Sequence, residues 1–443
     1  MIKLGKNMTA LIMFLFCWCF TIGGTKIIRE DVELVWSGHV VDFALLTKNS
    51  DQFVGFYSAN RSMTVGHRKL GQSTWKFKSL PSTVGWDNHN WIILALDSEG
   101  CLHVSGNMHA NPLVYFRASL PFDIESLSEA QMVGKDENRI TYPIFVTTPV
   151  GDLIYYYRSG GSGNGDNIFN IYDVGTKTWR RLMDPNLHDG EHERNAYMHL
   201  RMDPTGMFHA AWVWRETPDA GTNHDLCYAR SRDLRHWETA DGAPLTLPVT
   251  VRERRVVVDP IPVDGGIFNT MMDTGFDSQH RPVLSYIKYD ANGTTQLYFA
   301  RHEGGRWAIR QATRWPDRII LKGKGWLELP LHIGAVRVAP GRPGLLLIDL
   351  RHGTAVPRRR TFMVDPVNLR MLGRAPPAVE PVRVALAPID APESTFPGMQ
   401  VPRRPRLPRG PLPSLSGSLL RHQHRSPRAC YQIRAGRGVL HAG

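Results

Sequence analysis

Cysteine is scarce, with five in 443 residues. Cys17 and Cys19 lie in an apolar N-terminal run, which leaves Cys101, Cys227 and Cys430, too few for a disulfide framework. Long apolar runs are also missing. The best candidate, Ala10 to Ile22, falls short of the ~20 residues of a spanning helix, so no stable membrane span is expected. Lys3 and Lys6 precede this run and Gly23, Gly24 and Thr25 follow it. Residues 1–25 therefore have the form of a signal peptide, with an N-terminal anchor as the alternative, and the expected location is secreted, periplasmic or cell-surface.

The body of the chain has no excess of positive charge. The formal net charge is +12, yet residues 341–443 hold 17 Arg, no Lys and five acids, leaving 36 bases against 36 acids before them. A nucleic-acid partner would call for a positive field over the folded surface, so none is expected. The excess sits in an Arg- and Pro-rich stretch, RRPRLPRGPLPSLSGSLLRHQHRSPRA at 403–429, without alternating apolar residues. Residues 402–443 are expected to be a disordered tail or the product of a shifted reading frame.

Helical periodicity is absent as well. What recurs is an apolar strand, a turn rich in Gly, Pro or Asp, and a second strand, at 40–61, 89–109, 141–160, 195–216, 268–289 and 331–353. The stretches LVYFRAS (113–119), LCYARS (226–231) and LYFARH (297–302) read as third strands. Trp75, Trp179, Trp237 and Trp307 close four of the units and are expected to pack between them. Six visible units of this kind predict an all-β fold, a β-propeller over residues 33–401, with FPGMQV (396–401) as a ring-closing strand.

Hairpin arithmetic indicates what converges. A turn centred on Glu99 sets His89 opposite His109, one at Val150 pairs Tyr142 with Arg158, and one at Thr205 pairs Asn195 with Arg215 and puts Tyr197 on the same face. A turn at Ser278 or Gln279 brings Asn269 near Lys288, and His332 falls near Arg351. All lie eight to ten positions from their turns and so share one end of the blades, where a propeller has its funnel.

Paired carboxylates are lacking in this set, which argues against a glycosidase with two carboxyls flanking its bond. The arginine triad and Tyr–Glu pair of a sialidase cannot be placed either. Cations that neutralise a carboxylate, beside His and Tyr as proton carriers, suit β-elimination from a uronic acid, whose C5 proton becomes acidic once that charge is neutralised.

The stretches WDNHNW (86–91), HVSGNMH (103–109), YYYRSGGSGNGDN (155–167), NAYMH (195–199) and HAAWVWRETPDAGTNHDLCYARS (209–231) resemble the BNR-repeat family that includes propeller-type ulvan lyases. The resemblance implies a seven-bladed propeller that cleaves acidic polysaccharide by β-elimination. It assigns catalysis to His89, His109, Tyr197 and Arg215, and substrate contact to Arg158 and Asn88. Tyr142, Asn195, Asn269 and Lys288 join the substrate contacts by position. No cofactor is required for the chemistry. A structural zinc or calcium found in some relatives points to His224 and Cys227, although two ligands do not make a site.

The sequence thus reads as a secreted, monomeric polysaccharide lyase acting on an acidic, uronate-containing glycan. Arg215, helped by Arg158, would hold the carboxylate; His89 or Tyr197 would take the C5 proton, and Tyr197 or His109 would protonate the leaving oxygen. A non-catalytic carbohydrate-binding propeller and a sialidase-like hydrolase are the alternatives.

Overall fold

The computed structural model describes residues 28–376, except positions 37, 39, 40, 326, 328, 354 and 355, together with 432–437. The signal-like segment, FPGMQV and most of the basic tail lie outside the described residues. Among the described residues there is no α-helix, only three short 3₁₀ turns, and no helix long and apolar enough to cross a membrane.

Six antiparallel sheets of four or five main strands follow one another along the described residues, the third and fourth joined edge to edge into one ten-stranded sheet by a single parallel bridge, Gly165–Asn195. The first runs Ala44–Lys48, Asp51–Tyr57, Ser62–Lys69 and Lys76–Thr83, and the second Ile92–Leu96, Leu102–Gly106, Tyr115–Ala118 and Leu127–Glu129. The third comprises Ile140–Thr147, Leu153–Gly161, Asn164–Asp173 and Thr178–Arg181, and the fourth Asn195–Met202, Phe208–Arg215, Asn223–Ser231 and Trp237–Glu238. Met272–Phe276, Pro282–Tyr289, Thr295–Glu303 and Arg306–Gln311 make the fifth; the sixth is built on Arg342–His352 and Val356–Val364. The six sequence units supply the first hairpin of each sheet, and the three predicted third strands occupy that place.

One apolar cluster lies between each consecutive pair of sheets. Phe53, Val104 and Phe116 join the first two, Tyr115, Tyr155 and Trp179 the next, and Phe169, Trp212 and Trp237 the third and fourth. Val213 and Tyr286 lie between the fourth and fifth sheets, and Phe299 and Ile348 between the fifth and sixth. Strands covered on both faces carry near-continuous apolar sequence. Phe208–Arg215, which reads FHAAWVWR, is buried at every residue.

The turns repeat a device. Asp97 Oδ1 accepts from the amides of Glu99 and Cys101, Asp203 Oδ1 from Thr205 and Met207, and Asp277 Oδ1 from Gln279 and Arg281. Each hairpin needs a left-handed residue three places on, filled by Gly100, Gly206 and His280. In two sheets the second carboxylate oxygen faces a buried imidazole whose other nitrogen meets a phenol: Asp97–His103–Tyr115 and Asp203–His209–Tyr228. Burial lowers the pKa of both imidazoles, against the pull of their aspartates.

Gln432–Arg437, within the stretch expected to be disordered, forms a strand antiparallel to Ile28–Leu34 near the other end of the chain.

Sheet-to-sheet contact is tightest at Gly275, where an added Cβ would stand 1.9 Å from the Val336 carbonyl oxygen. Gly275→Ala must therefore displace backbone between the fifth and sixth sheets. It should lower stability by at least the ~1–3 kcal/mol typical of overpacking; calorimetry showing a wild-type Tm would contradict this packing.

Candidate active site

Six of the predicted site residues form one cluster at the strand ends of the second, third and fourth sheets. The His89 and His109 rings meet with centroids 4.1 Å apart and planes tilted by 35°. The expected direct strand pairing is not the cause, because the second-sheet hairpin ends at Ile92–Gly106 and His109 crosses over to pair with Thr141 of the third sheet. What joins the rings is Asp87, which the sequence reading passed over. Its Oδ1 lies 2.5 Å from His89 Nδ1 and its Oδ2 2.6 Å from His109 Nδ1. The His89 amide also donates to Oδ1, at 2.9 Å. The signal was present in WDNHNW, since an aspartate two residues before a histidine closes an Asx turn on that amide. Asn88 sits in this turn, half-buried.

Tyr142 departs from its predicted register. Pairing follows the expected sum as far as Ile144–Tyr156, then slips by one residue so that Thr141, not Tyr142, opposes Arg158. Pro143 cannot donate to the ladder, and Tyr142 takes φ +56°, costly for a bulky residue. The bulge turns Tyr142 into the cluster: its ring centroid lies 5.8 Å from His89, 5.9 Å from His109 and 6.3 Å from Tyr197, and Trp91 stacks on it at 5.5 Å.

Asn195 opposes Arg215 as the arithmetic requires, and Tyr197 follows on the same strand. Arg158 is only 3% exposed and lies over two aromatic faces, 4.9 Å from the Tyr142 centroid and 5.2 Å from that of Tyr197. Its Nε and Nη1 have no hydrogen-bond partner within the protein. Arg215 lies 5.3 Å from the Tyr197 ring, but its fork is engaged: Nε donates to the Thr217 carbonyl (3.1 Å), Nη2 to that of Pro218 (2.5 Å) and Nη1 to Asn269 Oδ1 (3.5 Å). Of the two cations, Arg158 rather than Arg215 retains unmatched donors. The Tyr197 hydroxyl is 2.8 Å from Ser162 Oγ, on a loop pinned where Asn195 Oδ1 accepts from the Gly163 amide at 2.5 Å. Gly163 has φ +74°, and a Cβ there would meet the Thr217 backbone at 2.5 Å, so only glycine fits.

Two expectations fail. Asn269 and Lys288 are not opposed, because the fifth-sheet ladder begins at Met272–Tyr286. Asn269 reaches Arg215 instead, whereas Lys288 is neutralised by Asp259 at 2.6 Å and lies 4.7 Å from the Tyr298 ring. His224 and Cys227 do not form a metal-ligand set. The His224 ring faces Glu216 at 2.8 Å and Asp225 at 3.4 Å, and Cys227 is fully buried in the apolar cluster with Trp212 and Trp214. His332 does pair with Arg351 as expected.

Among the described residues, Asp87, His89 and His109 form the one group of three that could hold a metal, their ligand atoms lying within 4.8 Å of one another. Their 2.5 and 2.6 Å separations are hydrogen-bond lengths. Ligands around a tetrahedral zinc stand about 3.3 Å apart. As it stands, the geometry is that of proton sharing.

The electrostatics separate the groups. Burial raises the Asp87 carboxyl, but the His89 amide and the His109 and His89 rings outweigh it and bring it down to about 2. Burial and the neighbouring His109 lower the His89 imidazole, against the pull of Asp87. Burial raises Tyr197, yet Arg158 and Arg215 outweigh it and leave the phenol below its ordinary value. Tyr142, raised by burial and by Tyr197, is pushed up to about 12.

The profile of the BNR repeat-containing family matches residues 51–315. The chain belongs to that family. The chain is 37% identical over 79 residues to a long-isoform ulvan lyase of a Glaciecola species, covering 17% of this chain and 8% of that protein. A short-isoform ulvan lyase of an Alteromonas species is 28% identical over 131 residues, 27% of this chain and 25% of its own length. The aligned stretches thus span at most a quarter of these two relatives. Solved structures extend the likeness in fold. The polysaccharide lyase Uly1 superposes with TM-score 0.54 at 14% identity, over 79% of this chain and 84% of its own. A PL25 ulvan lyase bound to a glucuronic acid–(1-4)–rhamnose 3-sulfate fragment gives TM-score 0.54 at 14% identity, over 78% and 84%.

Asp87 raises the His89 pKa by hydrogen bonding and by charge, so removing its carboxylate must lower it further. In Asp87→Asn, NMR titration of His89 should give a midpoint below that of the wild type; an upward shift would contradict the shared-carboxylate geometry.

Proposed function

We propose that this chain is an exported, monomeric polysaccharide lyase that cleaves a uronate-containing, ulvan-like glycan by β-elimination. The observation that carries the reading is the Tyr197 phenol, set between two guanidinium groups and beside two imidazoles that share one carboxylate. With both imidazoles neutral, Asp87, Arg158 and Arg215 sum to one positive charge, matched to a single uronate carboxylate. Arg158, with unmatched donors, neutralises that carboxylate, and the C5 proton becomes acidic.

His89 is then the base. Its Nδ1 is oriented by Asp87, and a pKa below the ordinary imidazole value keeps it unprotonated at neutral pH. Tyr197 is the acid. Arg158 and Arg215 hold its phenol below the ordinary value and stabilise the phenolate left when its proton passes to the departing oxygen. His109 completes the anion-facing side through its bond to Asp87. The six sheets and the Ile28–Leu34 pairing with Gln432–Arg437 are consistent with a seven-bladed ring closed where the two chain ends meet.

Incubation with a panel of uronate glycans, followed by ultraviolet absorbance, tests the reaction, because elimination leaves a double bond conjugated to the carboxylate and hydrolysis does not. His89→Ala and Tyr197→Phe should each lower kcat by at least ~10²-fold. Glycan with its carboxyls reduced to alcohols should yield no unsaturated ends. Hydrolytic products without the chromophore, or binding without turnover, would replace the lyase reading.

The pH profile follows from the shifts. Activity should rise through a limb below the ordinary imidazole value of ~6.5, as His89 deprotonates, and fall through one below ~10, as Tyr197 ionises. Arg215→Gln keeps donors for the Thr217 and Pro218 carbonyls but removes the charge, so the alkaline limb should move upward. An unmoved limb would show that Tyr197 is not the acid.

A further inference from the structure

We propose that Trp86, supported by Trp36 and Arg61, is a stacking platform for a sugar next to the one that is cleaved. This rests on the polysaccharide reading of the Asp87 cluster. Trp86 is 71% exposed, far more than any other aromatic side chain among the described residues. Scattered exposed leucines and valines need no explanation, but an indole left in water beside a polar cluster loses the burial that usually holds it in place.

The ring is nevertheless held. Trp36 packs against it edge to face, with centroids 5.3 Å apart at 73°. Trp36 is fixed in turn by its amide bond to the Tyr57 carbonyl (2.9 Å) and by Arg61, whose guanidinium lies 5.8 Å from its ring. Arg61 is anchored because Nε and Nη2 both donate to the Val84 carbonyl, at 2.8 and 2.5 Å. An aromatic surface is thus presented to solvent on a support that is itself braced by a cation.

Its position ties it to the chemistry. Trp86 immediately precedes Asp87, the carboxylate that orients both imidazoles, and lies three residues from His89, within about 11 Å along the chain. A pyranose has an apolar face of axial C–H bonds that suits an indole, while its charged substituents project from the rim of the ring. A glycan held at Arg158 and Tyr197 would extend past His89 onto this surface. The platform therefore contributes to binding along the chain and takes no part in proton transfer.

The test uses the full chain and ulvan oligosaccharides of increasing length. Trp86→Ala should raise KM about tenfold on long oligosaccharides, the scale of one aromatic contact. Its kcat should fall less than threefold, and its KM on the shortest cleavable oligosaccharide should stay within twofold of wild type. Trp86→Phe should recover most of the affinity. In His89→Ala, long oligosaccharides should shift the tryptophan emission, and the shift should vanish when Trp86→Ala is added. Equal KM for wild type and Trp86→Ala at every length, with wild-type cleavage intact, overturns the platform alone. A wild type that neither binds nor cleaves any uronate glycan overturns the reading of the site, and the platform with it.

Discussion

Burial of sheet faces against neighbouring sheets is the constraint on which the molecule depends. The apolar clusters lie between consecutive sheets, so the inner sheets are covered on both faces and their middle strands have almost no place for charge. Some of the buried polar groups there form closed sets, such as Asp97–His103–Tyr115 and its counterpart Asp203–His209–Tyr228, where each ring nitrogen has a partner. The polar groups of the candidate site gather at the strand ends. That is where Asp87, His89, His109, Tyr142, Arg158, Tyr197 and Arg215 meet, and the same burial that excludes charge from the sheets supplies the desolvation acting on these groups.

Desolvation alone would disable the cluster by raising the phenol and the carboxylate. It is countered unequally. Asp87 gains two rings and an amide, and falls to about 2. Tyr197 gains two guanidinium groups and falls below its usual value, while Tyr142, against the same Arg158 but also against Tyr197, rises to about 12. Two phenols with centroids 6.3 Å apart are thereby given different tasks. The first is held below the ordinary phenol value by its two cations, and the second stands well above it. Pairs of groups whose environments drive their pKa values apart are where acid and base roles are assigned.

Much of this was legible in the sequence, and the limits are physical. The units were visible because two-faced burial imposes apolar runs broken by Asp- and Gly-bearing turns at regular spacing. Asn195 opposite Arg215 followed from counting, because that hairpin is uninterrupted. Counting failed where the ladder is irregular. Pro143 slips the register beside Tyr142, and the fifth-sheet ladder stops before Asn269. His89 and His109 meet although no hairpin joins them, because a third residue holds both. Periodicity cannot show that Asp87 reaches two rings through its two oxygens, nor that Lys288 is neutralised by an aspartate 29 positions before it.

The irregularity at Tyr142 also explains how the two halves of the cluster communicate. A bulky residue at φ +56° is disfavoured by roughly 1–3 kcal/mol, and such strain persists only where its surroundings over-determine it. Trp91 stacks on one side of the ring, and Arg158 lies over it. A regular strand at this position would have sent Tyr142 to the other face of the sheet. The imidazole pair and the Tyr197–Arg158 pair would then have faced each other across a gap open to water. With the ring in place, Arg158 lies over both phenol rings, 4.9 Å from the Tyr142 centroid and 5.2 Å from that of Tyr197, and its charge acts on Tyr197 at short range. The strain at one residue thus accompanies the electrostatic condition that the proposed acid requires.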